Sequence, residues 1–362
     1  MKIGMSLLNF RPGDIGGTET YLKQLIQYLP TDLSGDLVFL TNSAHASYLP
    51  PNTPRINIGW SMPRTVAARI GEAFTPYRAG HLSRIIDKAG IDVMFYPQQS
   101  IFPLNNSAPT LMTVADLQHL TYPQYFPLFD RAFRATAYVK SLAKATHIIA
   151  ISHFVKRTLI EQLQVAPDKI TVVHHGYHPI APELRSIPQN LPQPFIYYPA
   201  ATFPHKGHAR LFKSFAKLIT QGKISHTLIL SGKKTKHWQT LNKLIQQLNL
   251  TDHIRHLGFI DYTEVTALYQ QADAIVFPTE YEGFGIPVLE AYQFHKKVIC
   301  SQLPVFDEMG VPQSWQIDFS QPEALLEAIK RDNITQLERP PQTWQDCTRQ
   351  TAQVLETLGH KA

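Results

Sequence analysis

The stretch Glu280–Glu290, EYEGFGIPVLE, sets three carboxylates among glycines and apolar residues. It follows an apolar run, Ala274 to Pro278, that reads as a buried strand. Buried elements seldom carry so many acids without partners. Pro287 suits the first turn of a helix starting near Ile286, so the stretch reads as a strand, a loop and a helix. The amides of Phe284, Gly285 and Ile286 would then be aimed at an anion from the helix start. Glu282 lies in the loop. Glu290 lies one turn into the helix, beside the face shared by Ile286, Leu289 and Gln293. A carboxylate so placed accepts hydrogen bonds from hydroxyls such as those of a ribose. A solvated acidic face is the plainer alternative.

The same strand–loop–helix order recurs on both sides. Strands are expected at Lys2–Leu8, Leu37–Thr41, Val93–Tyr96, Thr110–Val114, His147–Ile151 and Ile170–Val173. Helices are expected at Glu19–Leu29, Val66–Lys88, Arg131–Lys144 and His153–Gln164. Residues 179–194, PIAPELRSIPQNLPQP, hold five prolines and no hydrophobic period, which reads as a linker. Strands follow at Phe195–Tyr198, Thr227–Leu230, Ile254–Leu257, Ala274–Phe277 and Lys297–Cys300. Helices are expected at His208–Gln221, Trp238–Leu248, Thr263–Gln271, Ile286–Phe294 and Glu323–Lys330, with a last one near Trp344–Leu358. Alternation of this kind gives α/β architecture with parallel sheets. The expectation is two Rossmann-like, doubly wound domains, 1–180 and 190–340, facing each other across a cleft, with 341–362 a C-terminal helix crossing back to the first.

Composition narrows the class. The chain has 362 residues, 44% hydrophobic and 17% charged, so a sizeable core is expected and disorder is not. The net charge of +6 is uneven: residues 1–190 hold 17 Lys and Arg against 12 Asp and Glu. Arg55, Arg64, Arg69, Arg78, Arg84 and Lys88 concentrate the excess, either as a solvated helix face or as a surface for an anionic membrane or acidic acceptor. No aromatic-interleaved basic motif points to nucleic acid. Two cysteines, Cys300 and Cys347, make neither a disulfide framework nor a zinc pattern and suit a reducing cytosol. The N-terminal MKIGMSLLNF enters a strand at once rather than a signal peptide, and no segment is apolar enough to span a bilayer. The expected location is cytoplasmic, peripheral at the inner face of the membrane where it meets one at all.

Three further loops follow strands. In NFRPGDIGGTET, Gly16 and Gly17 let a backbone approach an anion, or simply turn with Thr18 as helix cap. In TVADLQHLTYP, Asp116 either meets ligand hydroxyls or caps a helix, and His119 follows one turn on. In YPAATFPHKGHARLF, Lys206 precedes a helix start, a poor place for a cation unless a diphosphate sits there; a solvated lysine is the alternative. His205 and His208 lack a third metal ligand nearby.

At these residues the chain resembles the retaining glycosyltransferases of family 4, which have the GT-B fold. Glu282 and Glu290, with seven residues between them, match that family's E-x-seven-E motif. Gly16–Gly17 fits its N-terminal glycine loop, and YPAATFPHKGH looks like its lysine-bearing phosphate loop as seen in mannosyl- and rhamnosyl-type polysaccharide enzymes. VVHHGYHP and KVICSQLPVFDEMG occupy the places of its inter-domain turn and post-motif segment. The resemblance implies that Glu290 binds the donor ribose. It puts Glu282 near the transferred sugar with Gly283, Phe284, Gly285 and Ile286. Lys206, Gly16 and Gly17 would hold the diphosphate; Gly258, Phe259 and Ile260 would line the base; Asp116 would serve catalysis. Two positions depart from the pattern: Ala115 stands where many relatives have His, and Ala201 where many have Arg, so either Lys233 or Lys234 supplies that charge or the diphosphate is less stabilised.

The implied reaction moves a hexose, with a mild preference for GDP-mannose over a UDP-sugar, to a saccharide or lipid-linked saccharide with retention. No D-x-D triplet occurs, so no metal and no resident cofactor are expected. Either Glu282 attacks as a nucleophile, or the acceptor attacks from the front face while the leaving phosphate takes its proton. Closure about residues 179–194 would exclude water. The rivals are a nucleotide-sugar 2-epimerase of similar fold, a non-catalytic sugar-binding protein, and an NAD-dependent dehydrogenase, which would want the absent G-x-G-x-x-G.

Overall fold

The computed structural model describes residues 1–10, 16–43, 48–177, 191–338 and 341–360. The chain forms two compact units, Tyr177–Pro341 and the remainder, Met1–Gly176 with Gln342–Ala362. Of the proline-rich stretch 179–194, residues 179–190 lie outside the described residues.

The first unit contains β1 (Lys2–Ser6), α1 (Gly17–Asp32), β2 (Asp36–Thr41), β3 (Arg55–Asn57), α2 (Met62–Phe74), α3 (Gly80–Lys88) and β4 (Val93–Tyr96). It continues with β5 (Thr110–Val114), α4 (Gln118–Thr121), α5 (Leu128–Lys144), β6 (His147–Ala150), α6 (His153–Leu163) and β7 (Ile170–Val172). Its seven strands pair in parallel in the order β3-β2-β1-β4-β5-β6-β7. The central strands β4 and β5 are buried along their whole length. That explains why they read as continuous apolar runs and not as alternating ones.

The second unit contains β8 (Phe195–Pro199), α7 (His208–Thr220), β9 (Thr227–Ser231), α8 (Trp238–Gln247), β10 (Ile254–His256), α9 (Tyr262–Gln271) and β11 (Ala274–Phe277). Then follow α10 (Ile286–Tyr292), β12 (Lys297–Ser301), α11 (Pro304–Glu308), β13 (Gln316–Ile317) and α12 (Pro322–Lys330). The order is β10-β9-β8-β11-β12-β13, again all parallel. Strand order reverses between β8 and β11, which makes this the switch point where doubly wound sheets bind ligands. The chain ends in α13 (Trp344–Gly359), which belongs to the first unit. A capping box of Thr343 and Asp346 starts it. Trp344 is buried 6.3 Å from the Tyr21 ring of α1 and 5.4 Å from His175. Gly176 leaves room for it: a Cβ there would strike the Trp344 backbone.

One expected helix, Val66–Lys88, is two. Thr75, before Pro76, is extended at φ −129° and ψ 172°, because the proline ring crowds the preceding residue out of the helical region. The chain restarts as α3 at Gly80. Thr18 does not cap α1, which begins a residue earlier with Gly16 at the cap position. Among the described residues no helix is long and apolar enough to cross a membrane.

Candidate active site

The loops after β8 and β11 are stitched together at the switch point. The buried Tyr198 phenol donates to the Lys206 carbonyl at 2.7 Å. A 3-10 turn, Pro204–Lys206, brings His205 back to the β11 loop, where its carbonyl accepts from Glu280 N at 2.7 Å and Thr279 Oγ1 at 3.2 Å. Gly207 makes this approach possible. Its φ is +69°, and a Cβ there would collide with the Pro278 carbonyl oxygen. The two loops thus set Lys206 Nζ 2.6 Å from Glu282 Oε1. Both side chains are only about one-fifth exposed, at 21% and 19%.

Arg210, one helical turn beyond Lys206, ties the same region down. Its Nη2 donates to Pro278 O at 2.8 Å and to Ser301 Oγ at 3.0 Å, at the ends of β11 and β12. His205 and His208 are held neutral, each pushed down to about 3 first by burial and then by neighbouring charge. The His208 ring packs 4.7 Å from Tyr198.

Glu290 sits on α10, whose cap Gly285 has φ +112° and faces the Phe306 ring so closely that a Cβ would press on it. Burial raises the Glu290 carboxyl to about 7, and a hydrogen bond from Tyr262 partly offsets this. Tyr262 opens α9, fixed by the Asp261–Glu264 capping box. Before it runs the Gly258–Phe259–Ile260 turn. Gly258, at φ +79°, accepts from Gly232 N at 2.7 Å and donates to His256 Nδ1 at 2.9 Å. Phe259 is 62% exposed, so its ring face is open to a stacking partner. At the departure Ala201, the nearby Lys233 and Lys234 are exposed. Lys234 Nζ lies over the Trp238 ring at 4.9 Å, and Lys233 contributes its carbonyl to Thr202 N at 3.0 Å.

In the first unit, α1 starts at Gly17, and residues 11–15 of its glycine loop lie outside the described residues. Asp116 Oδ1 accepts from Gln118 N at 3.2 Å, so this residue does brace the start of α4. Its carbonyl accepts from Gln99 Nε2 at 2.8 Å; Gln99 Oε1 accepts from Tyr138 at 2.6 Å; Arg134 Nη1 donates to Tyr138 at 2.9 Å. His119 is buried edge-on to Tyr138 and lowered to about 4, mainly by burial, then by Arg134.

The second unit therefore brings Lys206 and Glu282 into contact and sets Glu290 on the following helix. Gly16, Gly17 and Asp116 belong to the other unit. Sequence reasoning missed Tyr198, Arg210 and Tyr262. Arg210 had a signal, four residues after Lys206 in HKGHAR. Tyr262 had none, because its partner is 28 positions away.

Two family models match consecutive parts of the chain: Glycosyltransferase Family 4 over residues 15–179 and Glycosyl transferases group 1 over 181–333. An O-antigen chain mannosyltransferase, RfbU of Salmonella typhimurium, is 27% identical over 232 residues, covering 61% of this chain and 63% of its own. O-antigen chain mannosyltransferase B of Escherichia coli is 24% identical over 265 residues, covering 68% and 70%. Among solved structures, sucrose-phosphate synthase of Thermosynechococcus elongatus superposes with a TM-score of 0.67 at 18% identity, covering 100% of this chain and 97% of that one. Anabaena HepE in complex with UDP and glucose gives 0.64 at 17%, covering 100% and 98%. At such identities the structural likeness speaks for the fold alone. Fold, paired family models and the Glu282–Glu290 motif agree: the chain belongs to the glycosyltransferases of GT-B fold, with a family 4 domain followed by a group 1 domain.

Proposed function

We propose that the chain moves a hexose, mannose by preference, from a nucleoside diphosphate sugar to a hydroxyl of a saccharide or lipid-linked saccharide, retaining the anomeric configuration. The observation that carries this is the Lys206–Glu282 ion pair at the switch point of the second sheet. A lysine already balanced by a carboxylate is poised to exchange it for a diphosphate. The mannose preference is supported by the two mannosyltransferase relatives.

In this mechanism the donor diphosphate takes Lys206 from Glu282. Charge grows on the leaving phosphate as the glycosidic bond breaks, and Lys206 with the Gly283–Ile286 amides stabilises it. Glu282 stays beside the transferred sugar. The resemblance to retaining family 4 enzymes favours front-face attack by the acceptor, whose proton passes to the departing phosphate oxygen. Glu290 accepts the ribose hydroxyls, and Phe259 stacks on the base. Gly16 and Gly17 are donor-binding and Asp116 is catalytic, as the family resemblance implies, and no metal or resident cofactor is needed. The reaction runs at the inner face of a membrane when the acceptor is lipid-linked.

The test is thermal stabilisation by GDP, UDP, their sugar conjugates and NAD, each with EDTA or magnesium, followed by NMR of the product linkage. A ligand at 100 times its Kd adds about 2.7 kcal/mol. Stabilisation by one nucleotide class that survives EDTA, with an axial product from an axial donor, supports the reading. A shift with NAD alone, inverted product, or a 2-epimer formed without acceptor overturns it.

A further inference from the structure

We infer that the α2–α5 face of the first unit is a docking surface for an anionic lipid bilayer. Helix α5 is apolar on two faces. Ala137, Tyr138, Ser141 and Leu142 turn inward and are buried. Leu128, Ala132, Ala135 and Val139, spaced i, i+4, i+7 and i+11, form a second stripe that is exposed throughout. Leu128 is 79% exposed, Phe129 56% and Val139 53%.

Helix α2 packs beside α5 and extends the patch. Phe74, itself exposed, lies 5.8 Å from the Phe129 ring and 6.3 Å from Phe133. Tyr77 follows, also exposed. Trp60, Arg64, Ala67, Ala68, Gly71 and Tyr77 line an open cavity of about 320 Å³, and the Arg64 guanidinium stacks 4.5 Å over Trp60. Aromatic rings with one apolar and one polar side, next to arginines, suit the boundary between lipid headgroups and acyl chains.

Charge says what covers this face. Residues 62–88 and 128–144 hold nine Lys and Arg against three Asp and Glu; Lys140 and Lys144 are spent on the Glu72, Ala73 and Asn106 carbonyls and Arg69 on Ser100, and Asp130 is exposed beside Arg131. One of the three acids, Glu72, is buried and spends both carboxylate oxygens on the Ala79 and Leu104 amides, at 2.8 and 3.0 Å. Asp87 is occupied by Ser107. Arg64, Arg78 and Arg131 are exposed around the apolar stripe. Basic residues with exposed apolar groups are the two contributions that together hold a protein at an anionic membrane surface.

This deepens the lipid-linked reading above, but it is tested with neither donor nor acceptor present, so either can fail alone. The purified full chain is sedimented with phosphatidylcholine vesicles, with and without phosphatidylglycerol. Binding should need the anionic lipid and be released by high salt. Arg64→Ala, Arg78→Ala and Arg131→Ala should each weaken partitioning about fivefold. Leu128→Ser with Val139→Ser should weaken it at least tenfold while leaving nucleotide-induced stabilisation unchanged, which shows that the chain is folded. No binding at low salt, equal binding to both vesicle types, or variants that bind like the parent would overturn the proposal. So would a concentration-dependent dimer that the Ser variants abolish, because a second copy would then own the stripe.

Discussion

Replacing Glu282 by Gln should tighten nucleoside diphosphate binding while it lowers turnover. Lys206 Nζ is 2.6 Å from Glu282 Oε1, with both side chains mostly shielded from solvent. At an effective dielectric of about 20, two unit charges at that distance attract by roughly 6 kcal/mol. Desolvating both partners removes most of this gain, which leaves a net of about 1–2 kcal/mol for a pair that is neither surface nor core. A diphosphate must displace Glu282 from Lys206 to bind. The near-isosteric Gln removes the competing charge and one source of repulsion, so GDP or UDP should bind about 5–30-fold tighter. Turnover should meanwhile fall on the order of 10²-fold or more, since a group acting at the reacting centre is lost.

Lys206→Met should do the opposite to binding, weakening the nucleotide by about 1.5–3 kcal/mol, the usual loss for a hydrogen bond to a charged group. Isothermal titration of both variants and of the double variant closes a cycle. Glu282→Gln should give a clearly smaller gain when Lys206 is absent, because only its repulsion of the diphosphate is then left to relieve. If it weakened the nucleotide, or tightened it equally in the Lys206→Met background, the exchange of partners at Lys206 would be wrong.

Other outcomes are equally definite. Gly207→Ala must hold a side chain at φ +69° against the Pro278 carbonyl, so chemical denaturation should show a loss of about 2–4 kcal/mol together with lost nucleotide binding. Glu290, raised to about 7 by burial, should make nucleotide affinity rise with pH through that value, because ribose hydroxyls donate to the ionised carboxylate; Glu290→Gln should flatten the profile. In the free protein the sign reverses. A carboxyl raised above its unfolded value contributes stability that is complete below about 4.5 and is lost as pH rises through about 7, a decline that calorimetry should find absent in Glu290→Gln. Trp344→Ala empties a buried site between Tyr21 and His175 and should cost about 3–5 kcal/mol in unfolding of the first unit.

What the sequence disclosed and what it hid divide along sequence separation. Apolar runs such as Val93–Tyr96 and Ala274–Phe277 announce buried parallel strands because each is apolar on both faces. The acids, the lysine and the glycines sit directly after such runs, so their placement at strand ends was legible. Their partners were not. Lys206 and Glu282 are 76 positions apart, and nothing local says that one will neutralise the other. Tyr262 reaches Glu290 the same way. The break between α2 and α3 was written in Thr75–Pro76 but outvoted by a long helical period. The outward stripe on α5 has the same periodicity as a core face, and only burial tells the two apart.

The two departures from the family pattern fit a particular economy of charge. Ala201 offers no guanidinium, Lys234 is engaged with Trp238, and Arg210 is committed to Pro278 and Ser301, where it holds the β11 loop in place. On the proposed function the diphosphate is met by Lys206, which a carboxylate already balances, and by backbone dipoles, which carry no net charge. Such a site adds nothing to the chain's basicity. Residues outside 62–88 and 128–144 sum to zero. On the bilayer reading of the α2–α5 face, salt should release the chain from vesicles at concentrations that leave the partly buried Lys206–Glu282 exchange intact.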